Sequence, residues 1–213
     1  IEHKSYRPQV EPDADAIDAA IDMIAAAERP VFYTGGGVIN AGPDASAALR
    51  QFVSLTGAPI TSTLMGLGAF PADDPKWLGM LGMHGTYEAN MAMNKADLVV
   101  CLGARFDDRV TGRLDAFSPD SIKIHVDIDR SSINKNVAVD LPITADAGSA
   151  IAAIIAEWKA KGHKATDQGE WWRRIDGWRA TRCLDYPQDA APKAEIMPQE
   201  AIRQLFEATK ASA

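Results

Sequence analysis

The stretch Leu98-Val99-Val100-Cys101-Leu102-Gly103-Ala104-Arg105-Phe106-Asp107-Asp108-Arg109 decides the fold. Its first five residues are apolar with no polar alternation, so they read as a strand buried on both faces. Gly103 ends the run, and two cations and two anions follow directly. In a parallel sheet, ligands lie outside the carboxyl ends of the strands. A buried strand that opens onto glycine and then charge therefore marks where function is carried.

The same unit recurs on either side. Upstream, Val31–Thr34 opens onto Gly35-Gly36-Gly37, and Pro59–Thr63 runs into Met65-Gly66-Leu67-Gly68. Downstream, Ile122–Ile128 ends at Asp127 and Asp129, and the weaker run Leu141–Thr144 ends near Asp146. Helical spacing fills the intervals. Ile17, Ala20, Ile21 and Ile24 follow a cap at Asp13 or Asp15 and stop before Pro30. Leu49, Phe52 and Val53 share a face of Pro43–Thr56, which Gly57 ends. Thr86–Lys95 and Gly148–Lys161 complete the set. The alternation predicts an α/β fold: a Rossmann-like parallel sheet with helices on both faces and right-handed crossovers.

After Lys161 the character changes. Gln168–Arg182 predicts a helix carrying Trp171, Trp172 and Trp178, packed on the sheet or on a neighbouring domain. Asp185–Lys193 is a proline-containing linker, and Met197–Lys210 a helix with an apolar stripe of Ala201, Ile202, Leu205 and Phe206. The expected organisation is a lead-in over 1–12, the α/β domain over 13–162 and a helical linker over 163–213.

Composition bounds the function. The 213 residues carry a net charge of −7 and no Lys/Arg run, which removes the electrostatic basis for nucleic-acid binding. No apolar run is long enough to span a bilayer, and no signal peptide is visible. Two cysteines, Cys101 and Cys183, without a CxxC pair, fit a reducing cytoplasm better than a disulfide or zinc scaffold. GxSxG, HExxH and P-loop patterns are absent, and nothing resembles a nucleophile–base pair. The chain begins at Ile1 and is expected to be a piece of a longer enzyme, inactive alone.

The residues after the strands leave alternatives open. Gly35-Gly36-Gly37 is a tight turn or a close approach to a phosphate or sugar. Arg105 can pair with a phosphate, while Asp107, Asp108 and Arg109 can pair with one another. Asp127 and Asp129 are placed to accept from ribose hydroxyls, and Asp146 to do so or to cap a helix. His84 reads as an exposed or satisfied histidine rather than a metal ligand.

Together, Thr61 to Gly68, Leu81-Gly82-Met83-His84-Gly85-Thr86, Gly103 to Gly112, and His125-Val126-Asp127-Ile128-Asp129 resemble the acetolactate synthase large subunit family in order and spacing. The resemblance covers roughly Pro30–Ile155. Arg130 stands where the family usually has proline, and Ala145 where it usually has glycine. The resemblance implies a thiamine diphosphate-dependent enzyme of branched-chain amino acid synthesis, with Mg²⁺ and thiamine diphosphate held outside this region. It implies the central, FAD-binding domain, flanked by the other domains of the chain, in a homo-oligomer with a regulatory small subunit.

By that resemblance FAD contacts Gly36, Thr63, Leu64, Leu81, Gly82, Met83 and His84. It also contacts Gly103, Ala104, Arg105, Phe106, Asp107, Asp127, Ile128, Asp146 and Ala147. Asp108 and Arg109 match positions that line the substrate channel. The competing expectations are the middle domain of a sister thiamine diphosphate-dependent carboligase or decarboxylase, and a spacer or oligomerisation module with an empty pocket.

Overall fold

The computed structural model describes residues 8–186 and 196–209. The linker expected over Asp185–Lys193 falls mostly outside them. The order of elements is α1 (Ala14–Ala26), β1 (Pro30–Thr34), α2 (Gly36–Asn40), α3 (Pro43–Thr56), β2 (Ile60–Ser62), β3 (Trp77–Met80), α4 (Tyr87–Lys95) and β4 (Leu98–Leu102). It continues with α5 (Asp108–Thr111), β5 (Ile122–Asp127), β6 (Leu141–Thr144), α6 (Ala147–Ala160), α7 (Gly169–Arg179) and α8 (Pro198–Thr209).

The strands form one six-stranded sheet in the order β3-β2-β1-β4-β5-β6, with every pair parallel. The α/β expectation therefore holds. The chain winds outward from β1 to β3, returns to β4 beside β1, and winds outward again. This order reverses at β1/β4, where an open parallel sheet leaves its ligand crevice. Strands β1 and β4 are buried along their whole length, as their unbroken apolar runs require.

One face of the sheet is covered by α1, α3 and α6. Ile21, Leu49, Phe52, Ile151 and Ile154 meet Phe32, Val100 and Ile124 there. Phe32 stacks on Phe52 with ring centroids 4.5 Å apart. Each such fully buried side chain contributes about 1.5–3 kcal/mol relative to leaving it in water. Polar caps fix where the helices begin: Asp13 accepts from the Ala16 N–H, and Asp146 from the Ser149 N–H.

The other face carries α4 and α7. Trp171 and Ile175 are buried there with Met93, Val99 and Tyr33. The Trp171 indole N–H donates to the Pro30 carbonyl at 3.1 Å, and that of Trp172 to the Gly57 carbonyl at 3.1 Å. The tryptophan-rich helix thus packs on the sheet. The compact unit runs to Thr181. A second unit, from Arg182 onward, contains α8, whose Ile202, Leu205 and Phe206 are exposed.

Candidate functional site at the carboxyl edge of the sheet

Because all six strands run the same way, the segments that follow them all emerge at one edge. These are Gly35–Gly37, Thr63–Gly66, Leu81–Gly85, Gly103–Asp107, Asp127–Asp129 and Ala145–Ala147. Every cofactor-contact residue expected from the sequence lies in one of them. Asp108 and Arg109 begin the short α5 beside them.

At the reversal point the glycines are set by packing. A Cβ on Gly37 would lie 2.6 Å from the Gly103 Cα, and one on Gly35 would lie 2.4 Å from the Gly103 oxygen. The Gly37 N–H donates to the Gly103 carbonyl at 2.9 Å, closing the β1 loop onto the β4 loop. Gly36 differs: a Cβ there would meet only Met65, at 3.3 Å or beyond. No hydrogen bond among the described residues uses the Gly36 or Arg105 N–H. These are donors that an acceptor at the edge can take.

Leu64, Met65 and Met83 stand largely exposed at this edge, with Ile39, Leu67 and Ile128 also in contact with solvent. Thr63 is half-buried, and its hydroxyl accepts from the Gly66 N–H. Leu81 and Gly82 are buried, while Met83 and His84 are exposed. The Leu81–Gly85 loop is held from two sides. Asn90 of α4 accepts from the Gly82 N–H and donates to the Gly82 and Thr86 carbonyls. The Met83 N–H donates to the Arg109 carbonyl at 3.1 Å.

In the Gly103–Asp107 segment the side chains divide. Phe106 points into the core, against Tyr33, Phe117 and His125, so only its backbone serves the edge. Arg105 is exposed and pairs with Asp107 at 3.1 Å. The Asp107 carboxyl is held below the usual carboxylate range, chiefly by its hydrogen bonding with Asp108, with Arg105 and Lys135 adding to it. Among the described residues neither Asp108 nor Arg109 makes an ion pair, and both are exposed.

Asp127 is half-buried and accepts from the Asp129 N–H at 2.8 Å. Asp129 turns the chain by accepting from Ser131, which lowers its carboxyl pKa. Asp146 caps α6, so its carboxylate is engaged locally, and Ala147 is buried as the first helical residue. Ala145 is fully buried, with its N–H on the Asp127 carbonyl.

Sequence reasoning missed the side chains that support the loops from behind: Asn90, Asn136, Cys101 and His125. Asn136 donates to the Phe106 carbonyl at 2.7 Å. The Cys101 thiol and the His125 imidazole both reach the Ala104 carbonyl. Strand alternation alone puts His125 on the same face as Cys101 and Tyr33, which pair across β1, β4 and β5. Among the described residues, no three or more His, Cys, Asp or Glu side chains are grouped to hold a metal, and no helix is long and apolar enough to cross a membrane.

A parallel sheet that reverses between β1 and β4, with loops gathered at one edge, defines a doubly wound, Rossmann-like α/β domain. The chain belongs to the thiamine pyrophosphate enzyme, central domain, family, whose model matches residues 17–154. Its similarity extends over the whole chain to acetolactate synthase large subunits. It is 40% identical over 214 residues to that of Haemophilus influenzae and 41% identical over 212 residues to the isozyme 3 large subunit of Escherichia coli. It is 42% identical over 207 residues to the acetolactate synthase of Mycobacterium leprae. These alignments take in 100%, 99% and 95% of this chain. The chain spans about a third of the length of these relatives, 36%, 36% and 32% respectively.

Proposed function

We propose that this chain is the central, FAD-binding domain of an acetolactate synthase catalytic subunit. The observation that carries the reading is the edge itself. Six parallel strand ends, spaced about 4.8 Å apart, span roughly 24 Å. That length matches an extended dinucleotide and exceeds any keto-acid. The edge also has the chemistry of such a ligand. It offers free backbone donors at Gly36 and Arg105 for acceptor oxygens and exposed Leu64, Met65 and Met83 for a flat apolar ring. Carboxylates at Asp127 and Asp146 suit ribose and ribityl hydroxyls.

In the intact enzyme the reaction joins two pyruvates into acetolactate with release of one CO₂, or joins pyruvate with 2-oxobutyrate. Thiamine diphosphate and Mg²⁺ are held by other domains, and the flavin has no net redox role. This domain supplies binding and orientation. Asp108 and Arg109, exposed beside the edge and without an ion pair among the described residues, face the substrate channel. The flanking domains, further copies of the subunit and a small regulatory subunit are the partners, in the cytoplasm.

Two measurements test this. Titration with FAD, followed by flavin fluorescence, gives saturable quenching, and a linear response up to millimolar flavin contradicts the reading. Incubation with pyruvate, thiamine diphosphate, Mg²⁺ and FAD yields no acetolactate above a protein-free blank. Turnover would show that this chain carries catalytic groups.

A further inference from the structure

Tyr33, Cys101 and His125 form a row across three adjacent strands, paired Tyr33 with Cys101 and Cys101 with His125. All three are fully buried. A polar row in a sheet core is costly unless its groups are satisfied. Two of the three spend their hydrogen bonds on one atom. The Cys101 thiol donates to the Ala104 carbonyl oxygen at 3.0 Å, and His125 Nε2 lies 2.8 Å from the same oxygen. A carbonyl only accepts, so Nε2 carries the proton. The Ala104 oxygen thus has both lone pairs filled from the core.

In a trans peptide the C=O of one residue and the N–H of the next point in opposite directions. Anchoring the Ala104 carbonyl inward therefore turns the Arg105 N–H outward, away from the core. That N–H is unused within the described residues, and Arg105 is exposed. The next two peptides are fixed as well: Asn136 donates to the Phe106 carbonyl, and the Asp107 N–H returns to the Arg105 carbonyl at 3.0 Å. Phe106 packs edge-on against His125, with centroids 5.1 Å apart, which holds the imidazole in place.

We infer that His125 and Cys101 are positioning residues for the candidate cofactor loop. They clamp the Ala104 carbonyl so that the Arg105 N–H is presented as a donor to an acceptor oxygen of the bound cofactor. This rests on the FAD reading for the identity of the ligand, but not for the clamp itself. Burial keeps the imidazole neutral, the state in which Nε2–H donates while Nδ1 stays bare.

The test uses the chain with His125→Leu, His125→Gln, Cys101→Val and the double variant His125→Leu/Cys101→Val. Glutamine retains an N–H donor; leucine and valine keep the packing and remove the donor. Without any ligand, backbone ¹⁵N order parameters at Ala104, Arg105 and Phe106 are expected to fall from about 0.85 to below about 0.6 in the double variant. The single removals give smaller falls, and His125→Gln stays at the wild-type value. The rest of the sheet is expected to stay rigid. With FAD, the dissociation constant is expected to rise about tenfold or more in the double variant, and to stay near the wild-type value in His125→Gln.

Unchanged order parameters in the donor-less variants overturn the clamp. If the double variant does not fold, the two single variants decide by the same readout. If the wild-type chain takes up no FAD, the cofactor reading fails, while the order parameters still decide for or against the clamp.

Discussion

The Met83 N–H donates to the Arg109 carbonyl at 3.1 Å, joining the loop after β3 to the short helix after β4. These strands are not neighbours, since β2 and β1 lie between them. The contact depends on Gly82, whose φ is +103°. A Cβ at Gly82 would also lie 2.6 Å from the Arg109 oxygen. Gly82→Ala therefore combines a strained backbone with a backbone clash. A loss of about 1–3 kcal/mol in urea unfolding is expected. A loss below about 0.5 kcal/mol would mean that the two loops are not held together.

The glycines after β1 separate packing from binding. Gly37→Ala pushes a Cβ against the Gly103 backbone, where neither side can give. It should cost about 3 kcal/mol in denaturant unfolding. Gly36→Ala meets only Met65, its Cβ at 3.3 Å and its carbonyl oxygen at 3.5 Å, and the stability change should stay within about 1 kcal/mol. Its effect should appear instead as weaker FAD quenching. Equal destabilisation by both substitutions would contradict the division.

Asn90 clamps the Leu81–Gly85 loop through bonds of 3.1, 3.0 and 2.9 Å to the Gly82 N–H and to the Gly82 and Thr86 carbonyls. Asn90→Ala is expected to cost about 2–3 kcal/mol, at about 1 kcal/mol per bond. Hydrogen exchange should speed up first at Gly82 and its neighbours. Faster exchange spread evenly over the sheet would point to general loosening instead.

His125 gives the fold a pH dependence. Burial lowers its pKa in the folded chain below the usual histidine value, against the pull of the Ala104 carbonyl and Asp127. A depressed folded pKa gives stability that is fully present above the unfolded pKa of about 6.5 and is lost as pH falls through the folded value. Comparing unfolding midpoints between pH 7.5 and 5 should show the wild-type chain losing stability relative to His125→Leu. Parallel curves would contradict it. Carboxylates with lowered pKa, such as Asp107 and Asp129, lose their contribution only at more acid pH.

Much of this was legible in the sequence, for identifiable reasons. The unbroken run Leu98–Leu102 announced a doubly covered strand, and each strand end carried its glycine or carboxylate to the same edge. Strand β3 was hidden because Gly79, at φ +90°, interrupts a run of only four residues and the pairing with β2 shifts register there. Helix α2 was hidden because Gly36-Gly37 reads as a turn, although the chain makes one helical turn there. The clamps by Asn90, Asn136 and His125 join residues 8, 30 and 21 positions apart. Nothing in local spacing reveals such pairs. The tryptophan pattern alone is compatible with α7 on the sheet or on a neighbouring domain, and the Trp171 bond to Pro30 decides for the sheet.

Trp171 tests that placement. It is buried against the α4 face, and Arg174 lies over its ring at 5.7 Å. Trp171→Ala should cost about 3–5 kcal/mol, as a core residue does. A change below about 1 kcal/mol would return α7 to the role of a linker.

The proposed function places an extended flavin dinucleotide across the carboxyl edge of the sheet. The most direct measurement is amide chemical-shift mapping of the ¹⁵N-labelled chain during titration with FAD to millimolar concentration. The account predicts saturating shifts at Gly36, Leu64, Met83, Arg105, Ile128 and Ala147, with none at the opposite edge. Shifts scattered over the surface, or none at saturating flavin, would contradict it.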